Sequence, residues 1–221
     1  MIRILEEKRS FYEQLVEGDN RWVNKELAQQ GIRILDGFVT GYELVKEFYE
    51  RVYTKEGSRV VLCGINPGRL GAGKTGVPFL DFRSLSRIMP KVKNKDSERS
   101  AGFVFDVIER YGKESFFEDV YLTNISWFGF EKDGKNHNYY NLSTEIQEVL
   151  LGSFIKEMNH VQPVVIVPVS KMVERSLKDL KQKGLLLFPI GSRLRHPVNC
   201  AFPERREREI EHYIQTIRAY L

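Results

Sequence analysis

Four short apolar runs follow one another along this chain, and each is separated from the next by a segment with helical periodicity. Runs without polar interruption are typical of strands that are buried on both faces of a parallel sheet. Parallel strands need crossover connections, usually helices, which then cover the two faces of the sheet. We therefore expect an α/β fold, a three-layer α/β/α sandwich around a four-stranded, mainly parallel sheet. The predicted strands are Val60–Cys63, Asp119–Thr123, Val164–Pro168 and Leu185–Pro189.

The chain has the length of one sizeable core and contains no linker-like stretch rich in proline, glycine and serine. Its 221 residues are therefore expected to form a single domain, residues 1–221. Residues 1–54 precede the first strand, and apolar side chains between Tyr42 and Val52 recur there at helical spacing. This pattern predicts a helical N-terminal portion that packs on the sheet. A last helix is expected from Pro203 onward, since proline is well tolerated in a first helical turn.

The charge balance is mildly basic, because 34 lysine and arginine residues against 30 aspartate and glutamate residues give a net charge of +4. Such a balance permits a polyanionic partner and is equally compatible with a protein that has none. Cys63 and Cys200 show neither the spacing of a metal site nor a disulfide framework, which favours a reducing compartment. No stretch approaches the roughly 20 apolar residues of a membrane span, and the N-terminus lacks the features of a signal peptide. We expect a cytoplasmic location without membrane contact.

Polar side chains stand where three of the predicted strands end. Asn66 follows the first strand, Asn124 ends the second, and His196 comes after the fourth. Ligands of open α/β sheets bind outside the carboxyl ends of the strands, so the three residues are predicted to share one site. Each also has a purely structural interpretation, as a turn residue before proline, a loop cap and a surface histidine respectively.

Residues Gly68–Thr75 match the phosphate-loop pattern G-x-x-x-x-G-K-[ST], which would indicate a nucleotide triphosphatase. In a phosphate loop, however, the lysine and threonine open a helix whose N-terminus holds the phosphates. Here Gly76, Val77 and Pro78 follow directly, and they disfavour a helix. The third predicted strand also offers no aspartate for magnesium. The surrounding sequence therefore argues against a triphosphatase, which stays the less favoured alternative.

Four motifs occur in a defined order: G-I-N-P-G at 64–68, T-G-V-P-F at 75–79, Asn124, and His196-Pro197. Together they resemble the uracil-DNA glycosylase superfamily, most closely its single-strand-selective monofunctional branch. The resemblance implies an enzyme that flips a deaminated base, uracil first, out of DNA and hydrolyses its N-glycosidic bond in base-excision repair. It also implies DNA as the partner, a monomer, no lyase step, and neither metal nor cofactor.

The resemblance implies catalytic roles for Asn66 and His196. Asn66 would position the water, and because an amide has no proton to lose near neutral pH, it would not act as a general base. A neutral His196 would donate a hydrogen bond to the base oxygen O2 as negative charge develops there. Asn124 would read the base edge, Phe79 would stack on the base, and backbone N–H groups would complete the pocket. The substrate-binding residues implied are Ile65, Gly68, Phe79 and Asn124.

Basic and polar residues beside these motifs are candidates for contact with DNA. After His196-Pro197 the branch continues with serine, proline, arginine and asparagine, which fill the space left by the flipped base. This chain has V-N-C-A-F at 198–202 instead, so the inserting residue and the choice between single and double strands stay open. Two further alternatives are the same fold acting on xanthine or hypoxanthine, and a DNA-binding module without activity. The candidate DNA-binding residues are Arg69, Lys74, Arg193, Arg195 and Asn199.

Overall fold

The computed structural model of the protein describes residues 1–221. Helices and short strands alternate from the N-terminus to the C-terminus. In chain order the elements are α1 (Ile2–Val16), α2 (Arg21–Gln29), β1 (Ile32–Ile34), α3 (Gly37–Thr40), α4 (Tyr42–Val52), β2 (Val60–Gly64), α5 (Ala72–Thr75), α6 (Phe82–Ser86), α7 (Arg99–Tyr111), α8 (Lys113–Asp119), β3 (Val120–Asn124), β4 (Phe130–Lys132), β5 (Lys135–His137), a 3₁₀ turn (Tyr139–Asn141), α9 (Thr144–Val161), β6 (Val165–Pro168), α10 (Lys171–Gln182), α11 (Pro197–Cys200) and α12 (Pro203–Arg218).

The central sheet is parallel and has the strand order β3-β2-β6. Val60 of β2 lies opposite Val120 on one side and Val165 on the other. All residues of the three strands are buried, which explains why these strands read as unbroken apolar runs. At the carboxyl edge of the sheet, Gly64 lies directly opposite Asn124. The first three predicted strands are therefore present, each within one or two residues of the expected bounds.

The fourth predicted strand is reduced to a single bridge. Ile190 pairs in parallel with Ile166, while residues 185–189 form no regular strand. The bridge is held by two hydrogen bonds of 2.9 Å, from Ile166 N–H to the Pro189 carbonyl and from Gly191 N–H to the Ile166 carbonyl. Proline has no N–H to give to a strand ladder, and the side chain of Leu187 is 80% exposed. The regular parallel sheet thus has three strands where four were expected.

A small antiparallel sheet, β1-β4-β5, lies outside the central sheet and was not predicted. Ile34 pairs with Phe130, which in turn pairs with His137. The hairpin between β4 and β5 turns at Asp133-Gly134, and both residues have positive φ, 51° and 71°. Asp-Gly is a preferred dipeptide for such two-residue hairpin turns. The hairpin returns the chain towards the carboxyl edge of the central sheet, where residues 136–140 reach the site described below.

Aromatic contacts join the helices to one another and to the sheet. On α4, Phe48 meets Phe117 edge-on with ring centroids 5.6 Å apart, and Tyr49 meets Tyr121 of β3 at 6.4 Å. The terminal helix α12 begins at Pro203 as predicted and packs on α7, where the ring of Phe103 lies 5.2 Å from that of Tyr213. None of the helices combines the length and apolar character that crossing a membrane requires.

A buried carboxylate on α9 holds the carboxyl end of β3 in place. Glu157 on α9 accepts hydrogen bonds from Tyr121 Oη at 2.9 Å, Thr123 Oγ1 at 2.8 Å and Trp127 Nε1 at 2.8 Å. Burial raises the pKa of Glu157, and burial also lowers the pKa of nearby Lys8 to about 8. Three donors from β3 and the loop after it thus converge on one acceptor, which holds the last residues of β3 in place.

Candidate active site

The carboxyl edge of the central sheet opens into a pocket of about 390 Å³. This volume lies within the range that small-ligand sites occupy. The pocket brings together side chains and backbone from β2, β3, the loop after the Ile190 bridge and the start of α7. All six residues expected to act in catalysis or base binding line it: Ile65, Asn66, Gly68, Phe79, Asn124 and His196.

Gly64 allows two of these side chains to meet at the floor of the pocket. A Cβ atom on Gly64 would lie 2.7 Å from Cζ of Phe79 and closer still to Oδ1 of Asn124. Phe79 adopts the left-handed conformation, with φ of 64°, which is uncommon for a bulky residue. Such backbone strain concentrates at functional sites. Phe79 and Asn124 therefore line the same part of the pocket. The ring of Phe79 forms an apolar face, and the amide of Asn124 forms a polar edge.

The side chain of Asn66 is oriented by the loop that follows the hairpin. Its Oδ1 accepts a hydrogen bond from the Tyr139 N–H at 3.2 Å, and its Nδ2 donates to the His137 carbonyl at 3.5 Å. An N–H on one side and a carbonyl on the other define which atom is oxygen and which is nitrogen. An amide oxygen has two lone pairs, so Oδ1 keeps one acceptor position for a water or ligand.

His196 is held in one tautomer. Its Nδ1 accepts a hydrogen bond from the Val198 N–H at 3.3 Å, so Nδ1 carries no proton in that contact. Burial lowers the pKa of His196 below the ordinary value of 6.5, and the ring is therefore neutral at neutral pH. In a neutral ring with an unprotonated Nδ1, Nε2 carries the proton. His196 thus offers one N–H donor to a ligand in the pocket.

Three residues of β5, the 3₁₀ turn and the link between them line the pocket and were not predicted: Asn136, Asn138 and Tyr140. Asn136 Oδ1 accepts from the Arg69 N–H at 2.8 Å and so holds the loop after β2. Asn138 Nδ2 donates to Tyr140 Oη at 2.8 Å. The sequence does show a run rich in amides and aromatics here, but only the unpredicted hairpin brings that run to the sheet edge.

Glu98 is the only carboxylate that lines the pocket, and no motif in the sequence points to it. It precedes α7, and its carboxylate lies against the turn after β2, where a Cβ atom on Gly68 would be 2.7 Å from Oε1 and one on Gly71 closer still to Oε2. Burial raises the pKa of Glu98, Ser100 opposes this by hydrogen bonding, and the nearby charge of Asp81 adds to it.

Comparison with known proteins identifies the family. A profile of the Uracil DNA glycosylase superfamily matches residues 51–216, about three quarters of the chain. The chain belongs to the uracil-DNA glycosylase superfamily. The crystal structure of wild-type Pedobacter heparinus SMUG2 is similar to it, with a TM-score of 0.70 and 28% sequence identity over 86% of this chain and 88% of that one. No curated protein matches the chain significantly. The predicted resemblance to the single-strand-selective branch is confirmed, and the protein is a DNA glycosylase, a hydrolase that acts on DNA in repair.

Most of the residues that we expected this glycosylase to use for DNA contact lie outside the pocket and are already paired. Lys74 Nζ lies 2.6 Å from Asp96 Oδ2, Arg193 Nε lies 2.9 Å from Glu174 Oε2, and Arg195 Nε lies 3.2 Å from Glu209 Oε1. Asn199 is exposed on α11, and the backbone N–H of Arg69 is bonded to Asn136. The guanidinium of Arg69 forms no ion pair, so among the expected cations it alone is unpaired.

The phosphate-loop pattern does not have phosphate-loop geometry in this member of the superfamily. The helix that contains Lys74 and Thr75, α5, has four residues and ends at Gly76, whose φ is 74°. The hydroxyl of Thr75 is buried and donates to the Leu80 carbonyl at 2.7 Å. Neither Lys74 nor Thr75 is therefore available to a nucleotide, because Lys74 is ion-paired with Asp96 and the Thr75 hydroxyl is hydrogen-bonded to a backbone carbonyl.

Proposed function

We propose that the protein is a monofunctional uracil-DNA glycosylase, which flips uracil out of a DNA strand into the pocket and hydrolyses its N-glycosidic bond. The observation that carries this proposal is the neutral, Nε2-protonated His196 sharing one pocket with the amides of Asn66 and Asn124. Cleavage of the bond leaves negative charge on the base and positive charge on the sugar, so the site must stabilise an anion and supply a water.

The base would be recognised by Phe79 and Asn124. Phe79 offers a face for stacking, which is worth about 1 to 3 kcal/mol per base. The side-chain amide of Asn124 lines the pocket next to the ring of Phe79, and it can accept from N3–H of uracil while it donates to O4. Since cytosine has an acceptor at N3 and a donor at position 4, the same amide orientation would mismatch cytosine at both positions.

Departure of the base would depend on His196. Its Nε2–H can donate to O2 of uracil, and this hydrogen bond strengthens as O2 becomes more negative in the transition state. A neutral donor suffices here, because a preorganised hydrogen bond in a water-poor pocket costs no reorganisation during the reaction. The water would be held by the remaining lone pair of Asn66 Oδ1, which orients it without removing its proton.

The test uses a single-stranded oligonucleotide with one uracil, incubated in EDTA and then treated with alkali to cleave at the abasic site. We expect strand cleavage with wild-type protein and a loss of at least about 100-fold in Asn66→Ala and His196→Ala, typical of removing a transition-state contact. Asn159→Ala and His212→Ala, which change exposed residues of the same types, should retain the wild-type rate. Equal rates in all five proteins would refute the residue roles, and absence of base release from any deaminated base would refute the activity.

A second substrate class is favoured by one observation. Beyond the groups that uracil requires, the pocket is lined by Glu98, Asn136 and Asn138, which could serve the additional polar atoms of xanthine or hypoxanthine. Oligonucleotides carrying each deaminated base, in single and double strands, would separate the two classes by their kcat/KM values. A higher kcat/KM for xanthine than for uracil would assign the enzyme to deaminated purines while leaving the roles of His196 and Asn66 in place.

A further inference from the structure

An exposed aromatic side chain beside the pocket has two arginines close to its ring. Phe202, 40% exposed, connects α11 to α12, and the guanidinium carbons of Arg99 and Arg205 each lie 5.7 Å from the centre of its ring. Val198, 41% exposed, lines the pocket on the same segment of chain. Large apolar side chains at a protein surface are common singly, but an exposed aromatic ring with two cations near it can both stack on a base and attract phosphates.

The segment that carries Phe202 is anchored from within. Pro197 and Cys200 of α11 are buried, and α11 packs closely on α7. The hydroxyl of Tyr213 on α12 donates to the Arg195 carbonyl just before this segment. Phe202 is therefore exposed on a backbone that is already held in place. Binding of a ligand to its ring would cost little entropy, because the protein segment need not be ordered.

A groove of about 510 Å³ continues from the pocket along the side on which Arg99 lies. Glu98 lines both cavities, so the groove lies next to the pocket. Four arginines line the groove, and two of them are engaged: Arg87 with Glu109 at 2.7 Å, and Arg206 with Asp106. The other two, Arg83 and Arg99, are exposed and form no ion pair within the protein.

We infer that Arg83, Arg99 and Phe202 form a binding surface for the DNA strand beside the flipped base. Free guanidinium groups contact phosphates, and aromatic side chains stack on bases independently of sequence. The unpaired guanidinium groups of Arg83 and Arg99 complement the negative charge of a nucleic acid. The inference rests on the proposed function for the nature of the strand, and it places the strand across the groove, with Phe202 under a base that neighbours the one in the pocket.

Fluorescence anisotropy with a labelled, uracil-free, single-stranded oligonucleotide tests this surface without any need for base release. Titrations at several salt concentrations give both the affinity and its salt dependence. Arg83→Ala and Arg99→Ala should each make the slope of log K against log[salt] shallower by about 0.7, the value for one lost phosphate contact on a single strand. Phe202→Ala should weaken binding about 5- to 150-fold, while Phe202→Trp should keep the wild-type affinity within about threefold.

Arg51→Ala and Leu187→Ala are the matched controls. Arg51 is an exposed arginine on α4, near the amino end of β2, and Leu187 is an exposed apolar residue before the Ile190 bridge. Both variants should bind the oligonucleotide as the wild type does. Wild-type slopes in Arg83→Ala and Arg99→Ala, or wild-type affinity in Phe202→Ala, would overturn the inference even if uracil were released normally. Altered slopes and affinities in a protein that released no base would support the surface and refute only the proposed function.

Discussion

Gly64 provides the most direct structural test of the base pocket, because it carries no chemistry itself. In Gly64→Ala the added methyl group would lie 2.7 Å from Cζ of Phe79 and closer still to Oδ1 of Asn124, whereas real Cβ contacts essentially never fall under 3.0 Å. Backbone movement is opposed by strand pairing on both sides of β2, so the two side chains must move instead. We expect an overpacking cost of about 1 to 3 kcal/mol in unfolding free energy.

The effect on activity should exceed the effect on stability. A displacement on the order of 1 Å in groups that position a substrate costs about 100-fold in rate, and here both the stacking face and the amide edge are displaced. Single-turnover release of uracil, measured with enzyme in excess over a uracil-containing oligonucleotide, isolates the chemical step from product release. Thermal unfolding of the same preparation reports the stability cost separately.

Gly152→Ala is the control for the same substitution at a harmless position. Gly152 lies on α9, and no heavy atom lies within 4 Å of the site where its Cβ would be built. Alanine is favoured over glycine in a helix by about 0.8 to 1 kcal/mol, so this variant should be slightly more stable with an unchanged rate. A folded Gly64→Ala protein that releases uracil at the wild-type rate would refute the placement of the base between Phe79 and Asn124.

Four further predictions follow from groups whose partners are known. Lys74→Ala should leave the rates of uracil release and of any ATP hydrolysis unchanged, because the exposed ion pair of Lys74 with Asp96 contributes under about 1 kcal/mol to stability. A rate of uracil release reduced more than tenfold would contradict this prediction. The value of kcat/KM should stay constant as pH falls to 6.5 and decline only below it, since burial lowers the pKa of His196. The stability that neutral His196 contributes should likewise be present above pH 6.5 and be lost as pH falls below that value. A midpoint at or above pH 6.5 in kcat/KM would be inconsistent with a buried neutral donor. Glu157→Leu should lose at least about 3 kcal/mol in urea unfolding, because three buried donors each lose their acceptor. Glu98→Gln should lower kcat about tenfold or more with little change in KM, because it removes the pocket's only negative charge opposite a cationic sugar; an unchanged kcat would exclude that electrostatic role.

The central sheet and the convergence of Asn66, Asn124 and His196 could be predicted because both depend on local sequence. Strands buried on both faces are mainly apolar, so β2, β3 and β6 are visible as runs, and Asn66 and Asn124 meet because β2 and β3 end at the same edge. His196 reaches that edge from the loop after the Ile190 bridge. The prediction of a fourth strand at Leu185–Pro189 from the same pattern was wrong. The apolar residues there do not all face the core, since Leu186 is buried while Leu187 is exposed.

The second sheet and the pocket residues that it positions could not be predicted, because they depend on contacts between segments far apart in sequence. β1 and β4 have three residues each, carry charged side chains and pair across roughly a hundred positions of sequence, so neither has a local pattern of its own. The contacts of Asn136 with the Arg69 N–H and of Asn66 with the Tyr139 N–H depend on that pairing. Glu98 is likewise near Gly68 only through the packing of α7 against the loop after β2.

The glycines that imitate a phosphate loop have a packing explanation that requires no phosphate. A side chain at Gly71 would collide with the carboxylate of Glu98, and one at Gly73 would lie 2.5 Å from Leu35 Cδ1 and 2.7 Å from the carbonyl oxygen of Gly68. The N–H of Gly73 donates to that same carbonyl at 2.7 Å, so the loop closes on itself instead of presenting its amides to a ligand. A glycine-rich loop that cradles phosphate must leave its N–H groups free, and this one uses them internally to bring Gly68 and Asn66 beside Glu98. The spacing of the motif is thus set by what the loop packs against, and Asn66 and Phe79, for which we propose roles in base excision, lie before and after it.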